Sequence, residues 1–215
     1  MAKKFDKYKG DWIKIYSGRW GFFSSCLLGY CHTKGFYGKM GFGPKPVIMI
    51  VSKGLSTCYF KRDDLKSIVQ NLMKIIENDK SSVSRWCSEL KKQTDIFSKL
   101  MDKNNGKILD KKGINAFVKA LNEYNLCQRR VKQLPDYLSK DMLDKFLPSL
   151  QDARLYSEFV YDKYEDSLYD LAESIAKKTR YTKEQILALT FDEYGKYAIN
   201  SKLTDQRKLD ERYKK

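Results

Sequence analysis

At 215 residues, with 42% apolar and 13% aromatic side chains, the chain can bury a core of its own, which excludes a disordered tail or linker. No apolar run approaches the roughly 20 residues that span a bilayer, which excludes a helical membrane anchor in this sequence. A formal net charge of +15 points to an anionic partner: nucleotide phosphates, a carboxylate metabolite or nucleic acid.

The charge is localised. Residues 1–62 hold 12 Lys or Arg against Asp6 and Asp11, together with 13 aromatic residues and nine of the 12 glycines. Residues 63–148 carry 17 basic and 12 acidic side chains, and residues 149–215 carry 13 of each. The expected organisation is a basic, aromatic, Gly-rich β head over 1–62 and a helical body over 63–215, sharing one core. Lysine outnumbers arginine 33 to 9, so the field is built from solvated point charges rather than planar anion clamps.

In chain order, Trp12–Tyr16 alternates, with Ile13 and Ile15 on one face and Trp12, Lys14 and Tyr16 on the other, the period of a strand. Trp20–Tyr30 is too apolar to lie exposed and reads as a buried strand or short helix. Residues 35–46 carry four glycines and two prolines and read as a loop. Val47–Val51 and Leu55–Phe60 around Ser52-Lys53-Gly54 form a hairpin over 47–60. From Leu65 the period is helical, with Asp63 or Asp64 as N-cap and Leu65, Ile68, Val69, Leu72, Met73 and Ile76 as the apolar stripe.

A second stripe runs from Val83 to Met101, Asn104-Asn-Gly106 breaks it, and Ile114–Tyr124 forms the next helix. Pro135 and Pro148 bracket a shorter one. Ser149-x-x-Asp152 reads as a capping box opening the longest helix, lined by Ala153, Tyr156, Val160, Tyr164, Leu168, Leu171, Ile175 and Ala176. Its outer face holds seven carboxylates over residues 152–173. Thr182-x-x-Gln185 and Thr190-x-x-Glu193 are two further capping boxes. The fold class is therefore α+β, mainly α, with a small antiparallel sheet packed on a helical bundle.

Candidate sites concentrate in the head. The glycines at 35, 38, 41 and 43 with Lys34, Lys39 and Lys45 can present N–H groups and ammonium charges to a phosphate, but the P-loop pattern is absent and turn formation is the simpler reading. Arg19 between Trp12, Tyr16 and Trp20 suits a planar anion or a base, or equally local carbonyls. The ligand contacts named from this are Arg19, Lys34 and Lys39, with Trp12 and Trp20 as stacking walls. His32, the only histidine, has no orienting carboxylate near it in sequence and reads as structural. Cys26, Cys31 and His32 fall short of the four ligands of a closed zinc site, so no metal and no cofactor are expected. Five irregularly spaced cysteines and no signal-peptide pattern predict a soluble, cytoplasmic protein with reduced thiols and no membrane partner. Asp102–Ile108 misplaces the glycine of a calcium loop and reads as an interhelical turn.

The order of elements resembles a region of phosphoenolpyruvate synthase-related, PEP-utilising phosphotransferases. The residues that carry it are Asp152-Ala-Arg-Leu-Tyr156, the long helix, and Tyr181–Glu193, similar to the helical segment placed before the phosphohistidine domain. The hairpin leading into Asp63-Asp64-Leu65 and the stretch Trp12–Arg19 add to it, although Gly18 interrupts the usual Ser–Arg adjacency. The phosphohistidine signature and a recognisable ATP-grasp domain are absent from the sequence. The resemblance implies a non-catalytic substrate-side or linker module, a fragment partnered by a downstream phosphohistidine domain. That module would bind a small anionic ligand or acceptor, and only the longer protein would be an ATP- or PEP-dependent phosphotransferase. Two readings from other classes stand beside it: a basic nucleic-acid-binding protein using the same head, and a structural scaffold.

Overall fold

The computed structural model describes residues 10–52 and 54–213. Residues 1–9 with Asp6, the hairpin's Lys53, and Lys214 and Lys215 lie outside the described residues. The chain folds as α+β, mainly helical, with one small antiparallel sheet. Strand β1 (Trp12–Gly18) pairs with β3 (Leu55–Lys61), which pairs with β2 (Val47–Ser52), giving the order β1-β3-β2. The hairpin turn closes at Gly54, whose φ of +73° is a left-handed conformation that glycine adopts without a Cβ penalty.

A bulge in β1 decides what the sheet presents inward. Lys14 pairs with Tyr59 and Tyr16 with Cys58, so Ile15 is the extra residue. Simple alternation puts Lys14 and Tyr16 on the same face; the bulge separates them. Lys14 faces out with Tyr59, and Tyr16 turns in beside the buried Cys58.

Between the strands, the apolar run from Trp20 becomes helix α1 (Phe22–Tyr30). It continues through a wide π turn at Cys31–Gly35, closed by the Phe36 N–H on the Cys31 carbonyl, into α2 (Phe36–Met40). The stretch read as loop is thus helical as far as Met40. The extra residue of a π turn lets two neighbours, Cys31 and His32, both face the interior, each 1% exposed.

Strand β3 runs directly into α3 (Arg62–Asn78). Lys61, not Asp63 or Asp64, is the N-cap residue, because its extended backbone already ends the strand. The two aspartates sit in the first turn, where carboxylates oppose the helix dipole, and Asp64 accepts a bond from the Lys45 N–H at 3.2 Å. Helices α4 (Ser82–Asn104) and α5 (Lys111–Gln133) are joined by a turn through Gly106, φ +64°. Asp110 caps α5 through the Gly113 N–H at 2.7 Å. A short 3-10 turn, Leu134–Asp136, leads on to α6 (Lys140–Ser157) and α7 (Phe159–Ala176).

Four expectations fail in this stretch. Pro148 does not end a helix: it lies inside α6 on the exposed face, where water can take the carbonyl that its missing N–H abandons. Ser149 is therefore mid-helix, and the cap is Ser139, whose hydroxyl accepts from the Met142 N–H. The long helix is interrupted at Glu158, and Tyr156 points outward to Asp95 at 2.8 Å, leaving Ser157 buried in its place. Both later capping boxes form as read, at Thr182 for α8 (Lys183–Leu187) and at Thr190 for α9 (Phe191–Asn200). Helix α10 (Gln206–Tyr213) closes the described chain.

The buried side chains form one cluster that takes in Tyr16, Phe23, Cys58 and Phe60 from the head and Leu72, Phe97, Leu121 and Val160 from the helices. Its aromatic centre is Phe97, with ring centroids 5.4 Å from Phe117, 5.7 Å from Tyr124 and 6.2 Å from Tyr164.

Candidate functional site: a buried histidine cluster and a lysine-lined surface

The π turn, the bulged strand and α5 bring polar groups together around His32. The Tyr16 hydroxyl lies 2.7 Å from His32 Nε2, and an Arg129 terminal nitrogen lies 3.5 Å from the same atom. A guanidinium only donates, so Nε2 is the acceptor and the ring proton sits on Nδ1. Asn125 Nδ2 stands 3.2 Å from Nδ1. Turning this amide over offers its oxygen to the Nδ1 proton, which also satisfies Asn125 Oδ1, otherwise a buried acceptor without a partner. Burial, and then the Arg129 charge, hold the histidine pKa well below its usual 6.5. His32 is a neutral structural group, and its two nitrogens are committed to Tyr16, Arg129 and Asn125.

Arg129 is 4% exposed and forms no ion pair among the described residues. Its guanidinium lies 3.9 Å from the Tyr16 ring centre instead. Neither partner was legible from sequence spacing, since Tyr16 and Arg129 are far apart in the chain and the bulge that aims Tyr16 leaves no motif.

The second arrangement is on the surface. Tyr30, Lys34, Gly35, Gly38 and Lys39 face the α5 residues Asn115, Val118, Lys119, Asn122 and Glu123, with Phe191, across an open groove of about 380 Å³. The α5 residues recur at helical spacing and share one face. Gly35 lets its backbone approach α5: a Cβ there would stand 2.4 Å from Asn122 Oδ1. That oxygen is buried and has no partner among the described residues. A second open groove, about 650 Å³, continues along α4 and α5, lined by Ile96, Lys99, Leu100, Lys103, Ala116 and again Lys119 and Glu123. Lys39 is ion-paired to Glu123, while Lys34, Lys99, Lys103 and Lys119 are exposed and form no ion pair among the described residues.

Of the residues singled out by sequence, Lys34 and Lys39 share this groove. Arg19, Trp12 and Trp20 do not line it. Trp20 packs on Tyr16 (5.0 Å) and Tyr161 (5.6 Å) and lies against Gly18, where a Cβ would come within 2.7 Å of the indole. That contact is a physical reason for the glycine between Ser17 and Arg19. Trp12 lies under Lys61 Nζ at 5.8 Å, and Arg19 is exposed. The residues that sequence reasoning passed over are Lys119, Asn115 and Asn122, although their spacing on a helix with a clear apolar stripe marked them as one polar face.

The acidic face of residues 152–173 is mostly solvated, as read, except at Glu165. Burial raises the pKa of this carboxyl, and its Oε1 has no partner among the described residues. No group of three His, Cys, Asp or Glu among the described residues is placed to hold a metal ion, and no helix among them is long and apolar enough to cross a membrane. The chain matches no protein-family model, no curated protein and no solved structure.

Proposed function

We propose that this protein binds an extended phosphate-bearing polyanion, a nucleic-acid strand, along the lysine-lined surface formed by α2, α4 and α5. One observation carries the reading: Lys119 and Glu123 line both grooves, so the two depressions lie side by side on one face. Lys34 and Lys39 stand at one end, Lys119 in the middle, and Lys99 and Lys103 at the other. The one carboxylate among the lining residues, Glu123, is already neutralised by Lys39.

The residue type agrees with this ligand. Lysine point charges on open surface give sequence-independent contacts to a phosphate backbone, each weak and screened, and additive only along a long anion. A small free anion gains less here, because pockets that select small ligands enclose most of their surface. An acceptor or small anion at the Lys34–Lys39 wall, which the PEP-utilising resemblance implies, is the competing reading.

The test is fluorescence anisotropy with a labelled single strand of about 12 nucleotides, titrated from roughly 50 to 200 mM salt. Contacts from about four lysines predict a log–log slope near −3. Lys34→Glu with Lys119→Glu should abolish most of the binding, whereas Lys140→Glu, at the start of α6, should not. No binding at low salt, or binding indifferent to the double substitution, overturns the proposal. Calorimetric binding of inorganic phosphate or phosphoenolpyruvate without oligonucleotide binding establishes the competing reading instead.

A further inference from the structure

One end of the first groove differs in chemistry from the rest. Tyr30, at the last turn of α1, is 39% exposed, and its ring lies 5.4 Å from that of Phe191, tilted by 47°. Both rings line the groove beside the lysines. Partly exposed aromatic rings next to a positive groove provide a face on which a nucleobase stacks, whatever its sequence. The groove is open at Gly38, where a Cβ would meet nothing within 4 Å. Along the opposite wall, Asn115 and Asn122 stand two helical turns apart on one face of α5. Their amides offer both donors and acceptors, the complement of a base edge. A purely electrostatic track needs none of these features.

We infer that the Tyr30–Phe191 end of the groove is a base pocket, so that the ligand is single-stranded nucleic acid with one unpaired base stacked on these rings and its edge toward Asn115 and Asn122. The adjoining phosphates lie on Lys34 and Lys119. A duplex keeps its bases stacked inside and cannot deliver one to the rings without paying for unpairing, so duplex binding is left with the lysine contacts alone. This inference rests on the polyanion reading above.

The deciding experiment compares, on the unmodified protein at one salt concentration, single strands of DNA and RNA, the same strands made abasic, and the corresponding duplexes. An intact single strand of either sugar should bind about tenfold more tightly than its abasic counterpart, the contribution of one stacked base. Tyr30→Leu should erase that difference while leaving the salt slope and the affinity for the abasic strand unchanged. Gly38→Leu, at a position where a Cβ would meet nothing within 4 Å, should weaken intact strands more than abasic ones. Equal affinity for intact and abasic strands overturns the base pocket and leaves the lysine track standing. Failure of every strand to bind at low salt overturns both.

Discussion

The guanidinium of Arg129 lies 3.9 Å from the centre of the Tyr16 ring, and both residues direct a donor at the same atom, His32 Nε2. A buried cation without a carboxylate is costly unless something replaces its solvation. Here the negative face of the phenol ring and the imidazole lone pair do so, which requires a flat cation. Arg129→Lys should therefore destabilise the fold by about 2 kcal/mol or more, because an ammonium cannot stack and is harder to desolvate. Arg129→Met keeps the length, removes the charge and should cost less than the lysine variant. Urea unfolding of the three proteins measures the order; a lysine variant more stable than the methionine variant would contradict the stacking account.

His32 adds a pH dependence whose sign follows from its depressed pKa. Below the ordinary histidine value of about 6.5, the unfolded chain takes up a proton that the folded chain refuses. The stability from neutral His32 is complete above that value and declines as pH falls, by up to about 1.4 kcal/mol per unit. Glu165 works in the opposite direction, since its raised pKa favours the folded state as pH falls toward the carboxylate range. The difference between wild type and His32→Gln isolates the histidine. Stability measured between about pH 7.5 and 5 should fall more steeply for wild type than for the variant. Parallel curves would mean that His32 takes up its proton as readily in the fold as in the unfolded chain.

Where chemistry is local, the sequence and structure agree. The capping boxes at Thr182 and Thr190 form because each needs only its own four residues, and the apolar stripes of α3, α4 and α5 turn inward, although on α3 only Ile68, Leu72 and Ile76 are buried while Leu65, Val69 and Met73 are half-buried. Disagreement begins where a local preference competes with packing. Pro148 sits inside α6 because its face is solvated, and Ser149 is a sound capping residue with no helix start to cap. The bulge at Ile15 and the π turn at Cys31–Gly35 each insert one residue, which no composition or period marks, and together they create the His32 cluster. Lys34 and Lys39 were visible as candidates because the head is basic. Their partner Lys119 comes from a helix 80 residues further on and is identified only by the packing of the π turn at Cys31–Gly35 against α5.

The cysteines should be unreactive in the native protein. Cys31, Cys58, Cys87 and Cys127 are buried and Cys26 is partly so, and all five are free. Burial raises each thiol pKa, to about 11 for Cys26, Cys58 and Cys127, which leaves little thiolate near neutrality. Alkylation followed by mass spectrometry should label Cys26 first and the other four only as the protein unfolds. Labelling of Cys58 at the rate of a free thiol would show that the sheet opens locally and that the cluster beneath it is accessible.

Helix α10 is fastened through Glu193, which pairs with Arg212 and, at 3.7 Å, with Lys208, and acid should release it. Burial alone would raise the Glu193 carboxyl, but the hydrogen bonds from Arg212 and from the Thr190 backbone and hydroxyl outweigh it and hold the pKa at about 2. Arg212 bonds Glu193 Oε1 at 2.9 Å through one nitrogen and the Ala188 carbonyl at 3.1 Å through the other, tying α10 to the start of α9. A carboxyl depressed in the folded state contributes stability above its unfolded pKa and loses it as pH falls through the folded value. The window is therefore from about 4.5 down to about 2, below the range in which His32 acts. Glu193 is 14% and Arg212 22% exposed at the side chain, so solvent screening leaves the pair about 1–2 kcal/mol rather than the full shift. Glu193→Gln keeps the capping geometry at Thr190 but removes the charge. It should lower stability by that amount near neutrality and flatten the acid limb of the unfolding curve. Amide exchange should localise the loss to α9 and α10; protection there that is unchanged in the variant would show that burial of Leu209, rather than the ion pair, holds the last helix.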